Sequence, residues 1–286
     1  MTYFAYLALF LGVPLAVLSA VTIYDFRRGK WQPPALNSWR AWVVIVGLCV
    51  VAFVYTTPWD NYLVATGVWW YDPKLVTGFI IGYVPIEEYT FFVLLPIFAC
   101  LWTLLLMRYL PANPRRADNV RVRVVATGVT GVVWVLSCVL LVLTFVDESW
   151  KAWTYLALEL SWAFIPIIIQ MAFGADILLR HWRVVTLAIV SATAYLAATD
   201  AVAIAAGTWT IDPAQSLPIL IGGILPIEEL IFFLIVTTLS VFGLTLVMAE
   251  ESQARAMALG KHALFRPLVR FLPQVPQSPT AADAIE

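Results

Sequence analysis

The sequence has few charged residues. Only 12% of its 286 residues are Asp, Glu, Lys or Arg, whereas soluble domains carry about 25%. Hydrophobic residues make up 62% of the chain, and the mean hydropathy is +0.88. So little charge cannot cover a water-facing surface, which excludes an ordinary soluble domain and indicates that lipid surrounds most of the chain. We therefore expect an all-α integral membrane protein.

Residues and motifs that hold common cofactors are also scarce. The two histidines are His181 in a loop and His262 in the C-terminal tail, which excludes the histidine-rich iron site of a membrane desaturase or hydroxylase. The three cysteines lie inside apolar runs without metal-ligand spacing and are typical of packing residues. No Gly-rich or Walker motif for a nucleotide is present. We expect no cofactor, no bound metal and no nucleic-acid partner.

Seven apolar runs are long enough to cross about 30 Å of hydrocarbon. They lie near residues 3–24, 42–66, 76–107, 122–146, 153–179, 184–206 and 216–248. The first run follows no basic region and has no small-residue cleavage motif, so we expect a retained helix and not a signal peptide. An outer N-terminus would place every Lys and Arg on the inner side except Lys74 and Lys151. The distribution of positive charge therefore predicts a multi-pass cell-membrane protein with its N-terminus outside and its C-terminus inside.

Residues of the first half recur in the second half at one constant offset. Arg40, Trp42, Asp60, Gly67, Trp69, Asp72 and Pro73 recur in the same order and spacing as Arg180, Trp182, Asp200, Gly207, Trp209, Asp212 and Pro213. After a shift of one residue, Pro85-Ile86-Glu87-Glu88 with Phe91 and Phe92 recurs as Pro226-Ile227-Glu228-Glu229 with Phe232 and Phe233. The first three helices thus correspond to the last three, and the fourth is a linker.

This spacing predicts two parallel repeats. Because four crossings separate equivalent helices, both units enter the membrane from the same side, related by a pseudo-twofold axis along the membrane normal. We predict a first three-helix repeat at residues 1–110, a linker with one helix at 111–152, and a second three-helix repeat at 153–249. The polar tail at 250–286 is expected to be soluble and partly disordered.

Acidic residues inside the apolar runs are the strongest functional signal. They are Asp60, Glu87, Glu88, Glu159, Asp200, Glu228 and Glu229. An ionised carboxylate that is buried without a partner costs several kcal/mol, so seven such groups indicate a function. By helix direction they all fall in the outer half of the membrane, around a shared cavity. Asp176 differs, because Arg180 one turn later is expected to pair with it.

The surroundings of these acids suit a positively charged intermediate. Phe91, Phe92, Phe232 and Phe233 follow the paired glutamates, and aromatic faces stabilise cations. Glu159 and Gln170 are three turns apart and are expected to face the same way, and Pro85 is expected to kink its helix just before the acids. The alternative is that the acids only hydrogen-bond between helices and the rings only pack.

A neutral glutamic acid beside an ionised one can carry out acid–base chemistry on an apolar substrate. The acid protonates an electron-rich double bond, and the carboxylate later removes a proton, without net redox change. This predicts cyclisation of a long polyene, or the related hydration. A magnesium-dependent prenyltransferase would need Lys or Arg at the level of the acids. A proton-coupled transporter or channel would use the acids as a relay, although parallel repeats disfavour an alternating-access transporter. A membrane scaffold would not account for the doubled acids.

The motifs resemble those of the membrane-integral lycopene cyclases. Each Pro-x-Glu-Glu motif with paired Phe is preceded by Gly-x-Trp-x-x-Asp-Pro, at Gly67–Pro73 and at Gly207–Pro213, and the resemblance covers roughly residues 1–250. It implies the fused two-unit form and the closure of the ψ ends of lycopene into β-ionone rings, giving γ-carotene and then β-carotene. Relatives that form ε-type or C50 products, or that close a single end, leave the ring type and the number of ends open. Membrane lipid and other carotenoid enzymes are the expected partners.

The resemblance also implies which residues act. The catalytic candidates are Glu87, Glu88, Glu228 and Glu229. Our hypothesis makes Glu87 and Glu228 the proton donors and their neighbours the base or cation stabiliser. The substrate-binding or supporting candidates are Asp60, Asp200, Glu159, Gln170, Phe91, Phe92, Phe232 and Phe233. Whether they form one active site or two is open.

Overall fold

The chain folds almost entirely into helices. A computed structural model describes residues 1–111, 113 and 118–260, with side chains to 258. Within this part, seven helices are long and apolar enough to cross a membrane, as predicted. The helices are α1 Tyr3–Arg27, α2 Ala41–Ala65, α3 Ile86–Tyr109, α4 Val120–Val146, α5 Thr154–Arg180, α6 Trp182–Ala205, α7 Ile227–Met248 and a short α8 Glu250–Gly260. Short 3-10 segments form at Pro34–Leu36 and Glu148–Trp153.

The predicted starts of two helices are wrong. The runs 76–107 and 216–248 start as short strand pairs, and the helices begin only at Ile86 and Ile227. The strands are β2 Ile80–Ile81 with β3 Val84–Pro85, and β5 Leu220–Ile221 with β6 Leu225–Pro226. Glycines with positive φ lie in the turns of both strand pairs, at Gly82, Gly222 and Gly223, and before the first pair, at Gly78. Other residues are strained at positive φ. Hydropathy alone does not distinguish these apolar strands from helix.

The predicted kink at Pro85 is also wrong. Pro85 ends β3 and precedes the first helical residue, where its missing N–H costs no helical hydrogen bond. The one-residue shift between the two motifs lies in the turns, which hold residues 82–83 in the first pair and 222–224 in the second. Both helix starts are tied back in the same way, since Ile86 N donates to Phe79 O at 2.9 Å and Ile227 N to Ile219 O at 3.0 Å. The acids of both motifs therefore lie in the first turn of their helices.

A strand pair joins the two halves of the chain. Strand β1 Trp69–Tyr71 lies antiparallel to β4 Trp209–Ile211, with Trp70 opposite Thr210. Two further backbone bonds extend the pair: Asp72 N donates to Thr208 O at 3.2 Å, and Asp212 N to Val68 O at 2.8 Å. The pair lies where α2 and α6 end, close to the starts of α3 and α7.

Two prolines leave backbone carbonyls without a helical partner, and tyrosine hydroxyls from other helices donate hydrogen bonds to them. Proline has no N–H, so the carbonyl four residues earlier loses its helical partner. Before Pro14 the helix widens into a π turn at Ala8–Gly12, and Tyr195 of α6 donates its hydroxyl to Phe10 O at 2.9 Å. Before Pro166, Tyr55 of α2 donates to Trp162 O at 2.9 Å. These bonds connect α1 to α6 and α5 to α2 inside the bundle.

The ion pairs at the opposite end of the bundle differ from the expected one. Asp176 pairs with Arg255 of α8 at 2.9 Å and lies 3.8 Å from Arg123, and it does not pair with Arg180. Arg180 instead contacts Glu250 and Glu251. Helix α8 packs against α5 and brings in partners of both signs, which displace the expected local pair. The predicted tail thus begins as a helix, and residues 261–286 lie outside the described part.

We expect Gly82→Ala to destabilise the protein by about 1–3 kcal/mol. Gly82 has φ +67°, and a Cβ there would overlap the Asn61 side chain, whose Oδ1 accepts from Tyr83 N at 2.8 Å. Gly78→Ala is the matched control, since Gly78 also has positive φ (+80°) but open space around it. Thermal unfolding in detergent should show the larger loss for Gly82→Ala. Equal losses would mean that the contact with Asn61 has no effect.

Candidate active site

The first glutamate of each motif faces its own preceding loop. Glu87 Oε1 accepts from Thr77 N at 2.6 Å, and Glu228 Oε1 accepts from Leu217 N at 2.6 Å. Carboxylates are also favoured at this position by the N-terminal end of the helix dipole. Neither residue lines a cavity described below. Glu87 and Glu228 therefore hold the strand-pair loops against the helix starts.

The second glutamate of each motif faces a shared cavity. Glu88 and Glu229 line a pocket of about 50 Å³ together with Asp60 and Asp200, and we call it the acidic cavity. Its other lining residues are Tyr3, Trp59, Trp69, Tyr71, Phe91, Phe92, Tyr155, Trp209, Ile211, Phe232 and Phe233. No Lys, Arg or His is among them. The structure thus brings together four of the predicted acids and all four predicted phenylalanines.

Two tyrosine hydroxyls donate to Glu88. Tyr3 Oη lies 2.5 Å and Tyr71 Oη 3.0 Å from the same oxygen, Glu88 Oε2. Trp69 Nε1 donates in turn to Tyr71 Oη at 3.1 Å. Burial, with the nearby charge of Glu88, raises the pKa of the Tyr71 phenol well above its usual value. Tyr71 therefore stays neutral and acts as a hydrogen-bond donor.

One tyrosine hydroxyl donates to Glu229. Tyr155 Oη lies 2.8 Å from Glu229 Oε1. Tyr155 is placed like Tyr3, because Tyr3 N donates to Leu75 O at 2.8 Å and Tyr155 N to Gln215 O at 3.0 Å, two carbonyls at equivalent positions of the two repeats. Sequence reasoning missed these tyrosines. A signal existed, since Thr-Tyr-x-Ala at residues 2–5 recurs at residues 154–157, with a different spacing from the other repeats.

The remaining predicted acids are buried close to these glutamates. Asp60 and Asp200, expected to support the site, form part of the cavity wall, and their Oδ2 atoms have no hydrogen-bond partner in the described part of the chain. Glu159 is fully buried, and neither of its oxygens has such a partner there. It lies close enough to Glu229 and Glu228 to interact electrostatically. Among the described residues, no group of three or more His, Cys, Asp or Glu is arranged to hold a metal ion.

A second, apolar cavity adjoins the acidic one. It measures about 110 Å³ and lies between α2, α3, α5 and α7, and we call it the apolar cavity. Its lining is Leu48, Val51, Ala52, Tyr55, Thr56, Phe91, Phe92, Leu95, Pro96, Trp162, Pro166, Gln170, Phe232, Val236, Leu239 and Ser240. Phe91, Phe92 and Phe232 line both cavities and separate them. Gln170, which was expected to face the same way as Glu159, lines this cavity, and its Nε2 donates to Leu239 O at 3.0 Å.

A stack of aromatic rings runs between the two cavities. Trp59 stacks on Trp162 with ring centroids 4.4 Å apart and lies parallel to Phe232 at 6.1 Å. The ring of Tyr55 also stacks on Trp162, with ring centroids 5.5 Å apart. Such faces carry negative potential and stabilise a cation nearby. The acidic cavity thus combines carboxyl groups with ring faces, and the described residues of its wall include no fixed positive charge.

Comparison with known proteins identifies the family. The family model for lycopene cyclase matches residues 1–110 and 151–247. The chain belongs to the lycopene cyclase family. The lycopene beta-cyclase of Halobacterium salinarum is 35% identical over 246 residues, which cover 86% of this chain and 95% of that protein.

Fungal relatives are longer proteins. The bifunctional lycopene cyclase/phytoene synthase of Phycomyces blakesleeanus is 34% identical over 205 residues, and that of Podospora anserina is 32% identical over 276 residues. These matches cover 68% and 94% of this chain, but only 32% and 42% of the fungal proteins. The chain therefore spans less than half the length of these bifunctional relatives. No solved structure shows a significant match.

Proposed function

We propose that this chain is an enzyme that cyclises the ψ ends of lycopene to β-ionone rings, giving γ-carotene and β-carotene. One observation carries the proposal: two glutamates share a cavity with aromatic rings, and each accepts from at least one tyrosine hydroxyl. No Lys, Arg or His is among the described residues that line this cavity. The family membership and the name of the archaeal relative support the substrate and the β ring type. Cyclisation is an isomerisation, so it requires neither an oxidant nor a reductant.

The acids supply the proton chemistry. A neutral carboxyl donates its proton to the terminal double bond of the ψ end, which forms a C–H bond and a tertiary carbocation. The internal double bond attacks this cation and forms the ring C–C bond. A carboxylate then removes a proton beside the new cation, which leaves the ring double bond. Ring faces and carboxylates stabilise both cations in a site that excludes water.

Glu88 and Glu229 are the proposed acid–base pair. They reach the cavity, whereas Glu87 and Glu228 accept from backbone N–H groups of the loops. This reverses the division of roles expected from the sequence. Glu87 and Glu228 are proposed to position the helix starts, and Asp60, Asp200 and Glu159 to set the charge around the pair.

The apolar cavity is the proposed binding site for the polyene arm. Val51, which lines it, has 61% of its surface exposed, so this cavity reaches the outer surface of the bundle beside α2. Lycopene is far longer than both cavities and would extend from this opening into lipid. At about 50 Å³ the acidic cavity has room for a few water molecules but not for the end of a polyene chain. Phe91, Phe92 and Phe232 therefore have to move when a substrate end enters it.

Ser240→Phe is expected to lower cyclisation by at least about tenfold, because a bulky ring would fill the apolar cavity that Ser240 lines and occlude a preformed site. Leu234→Phe is the matched control, since Leu234 lies on the same helix with its side chain exposed. Product formed per amount of protein in the membrane gives the comparison. Equal activity of the two variants would show that the polyene does not use this cavity.

The membrane arrangement is a further part of the proposal. We propose a multi-pass protein of the cell membrane with its N-terminus outside and its C-terminus inside, and two parallel three-helix repeats at 1–110 and 153–249 joined by the linker at 111–152. Supporting this, β1 and β4 pair about Trp70 and Thr210, which are equivalent positions of the two repeats, as a twofold axis would require. Lys74 and Lys151 fall at the proposed outer side.

The test is expression of the full chain in bacteria that accumulate lycopene. Cells with the chain should convert lycopene to β-carotene or γ-carotene, and cells with an empty vector should not. Chromatographic retention identifies the ring type and the number of ends closed. Unchanged lycopene, with the protein present in the membrane, would contradict the proposal. Hydroxylated linear products would contradict it in favour of a hydratase.

A further inference from the structure

The two halves of the acidic cavity differ at one lining position. Tyr71 donates to Glu88, but the equivalent residue of the second repeat is Ile211, which lines the same cavity and has no hydroxyl. Among the described residues, Glu88 thus accepts from two phenols, Tyr3 and Tyr71, and Glu229 from one, Tyr155. Hydrogen bonds donated to a carboxylate stabilise its ionised form. The ionised form is therefore stabilised more strongly at Glu88.

A second difference adds a carboxyl group beside Glu229. By the Thr-Tyr-x-Ala spacing, Glu159 corresponds to Leu7 in the first half, and both side chains are buried. Glu159 interacts electrostatically with Glu229, whereas Leu7 gives Glu88 no such neighbour. Like charges disfavour ionisation. A charge on Glu159 would therefore add to the cost of ionising Glu229, with no counterpart for Glu88 at the position of Leu7.

The tryptophans of the two strands follow the same asymmetry. Trp69 donates to Tyr71 and so supports the hydroxyl that bonds to Glu88. Its counterpart Trp209 meets no such hydroxyl, because Ile211 stands at the position of Tyr71. A series of donors thus ends on Glu88 in the first half, and the described residues of the second half form no equivalent series.

We propose that Glu229 holds the proton and Glu88 the negative charge when the substrate binds, so that Glu229 is the proton donor and Glu88 the base. Two carboxyls that share one cavity are not both ionised at low cost, so one of them keeps a proton. The catalytic part rests on the proposed function. During cyclisation Glu229 gives its proton to the terminal double bond, and Glu88 takes the proton lost from the ring. One proton then returns from Glu88 to Glu229 across the shared cavity, which restores both groups.

Infrared spectroscopy of the full chain in lipid vesicles tests the charge assignment without substrate. The C=O stretching frequency of a neutral carboxylic acid is well separated from the stretching frequencies of a carboxylate. The difference spectrum of wild type against Glu229→Gln should show the loss of a neutral-acid band, and that against Glu88→Gln should not. Loss of the band in Glu88→Gln, or equal losses in both variants, would overturn the assignment.

Tyr71→Phe provides a second measurement. Without this hydroxyl, Glu88 has one phenolic donor, as Glu229 has, and its neutral fraction should rise. The neutral-acid band of Tyr71→Phe should then be larger than that of wild type. This increase should be absent from the double variant that combines Tyr71→Phe with Glu88→Gln, because Glu88 is its source. Ile211→Val, a matched change without a hydroxyl, should leave the band unchanged. No growth in Tyr71→Phe would overturn the role of Tyr71.

Activity separates this inference from the proposed function. Vesicles with lycopene show whether the same wild-type protein forms rings. Rings together with a neutral Glu229 support both proposals, and rings with a neutral Glu88 overturn only the assignment of donor and base. A neutral Glu229 in a protein that leaves lycopene unchanged supports the charge assignment and contradicts the proposed function.

Discussion

Replacing both Glu88 and Glu229 by Gln should abolish cyclisation, so that lycopene persists. Glutamine has nearly the same shape as glutamic acid and can still accept from Tyr3 and Tyr155, but it can neither give nor take the catalytic proton. General acid–base catalysis contributes about 10²–10⁴-fold for each group, so the double variant should fall below detection in a pigment assay. The measurement is carotenoid composition per amount of membrane protein in lycopene-accumulating cells.

The matched control is the double change at Glu87 and Glu228 to Gln. An amide oxygen can still accept from Thr77 N and Leu217 N, so we expect this variant to keep measurable cyclisation. The opposite result would be an inactive control and an active double variant of Glu88 and Glu229. In that case the proton donors are Glu87 and Glu228, as first expected from the sequence. The pair of variants therefore decides between the two interpretations.

Replacing Arg108 by Met should lower the stability of the protein by about 3–5 kcal/mol. Arg108 Nε lies 2.9 Å from Asp25 Oδ2, and both side chains are almost completely buried. Without Arg108, Asp25 keeps only the hydroxyl of Tyr109 at 3.0 Å as a partner for its charge among the contacts described. Thermal unfolding in detergent should show the change as a much lower midpoint.

Two control variants define this effect. Lys151→Met breaks an exposed pair with Glu148 and should cost less than about 1 kcal/mol. Adding Asp25→Asn to Arg108→Met removes the uncompensated charge and should recover part of the stability. A double variant as unstable as Arg108→Met would show that the loss comes from the packing of the arginine side chain.

The sequence predicted most of the fold because each helix is a local feature. An apolar run of about 20 residues has few alternatives in lipid, so seven helices followed from hydropathy alone. The strand pairs before Ile86 and Ile227 were missed for the same reason, since they are as apolar as the helices that follow. Their backbone depends on glycines such as Gly82 and Gly222, whose φ values the sequence does not reveal.

The site could be predicted only in part. The repeated motifs identified the glutamates, but neighbouring residues on a helix point about 100° apart, and which one faces the cavity depends on where the helix begins. An error in the predicted start of the helix concealed the position of Pro85 before the helix and the fact that the second glutamate of each pair lines the cavity. Tyr3, Tyr71 and Tyr155 come from other elements, and only the packing of α1, β1 and α5 against the helix starts shows that their hydroxyls reach Glu88 and Glu229.

The pairing of β1 with β4 has a consequence for biosynthesis. During translation β1 emerges long before β4, because four long apolar helices, α3 to α6, separate the two strands in the sequence. Helices can enter a bilayer one after another, but contacts between distant segments form late. Trp69 and Trp209 of these strands form part of the cavity wall. A nascent chain that already contains Glu88 therefore lacks part of the wall around this glutamate, and the cavity can close only after β4 has been made.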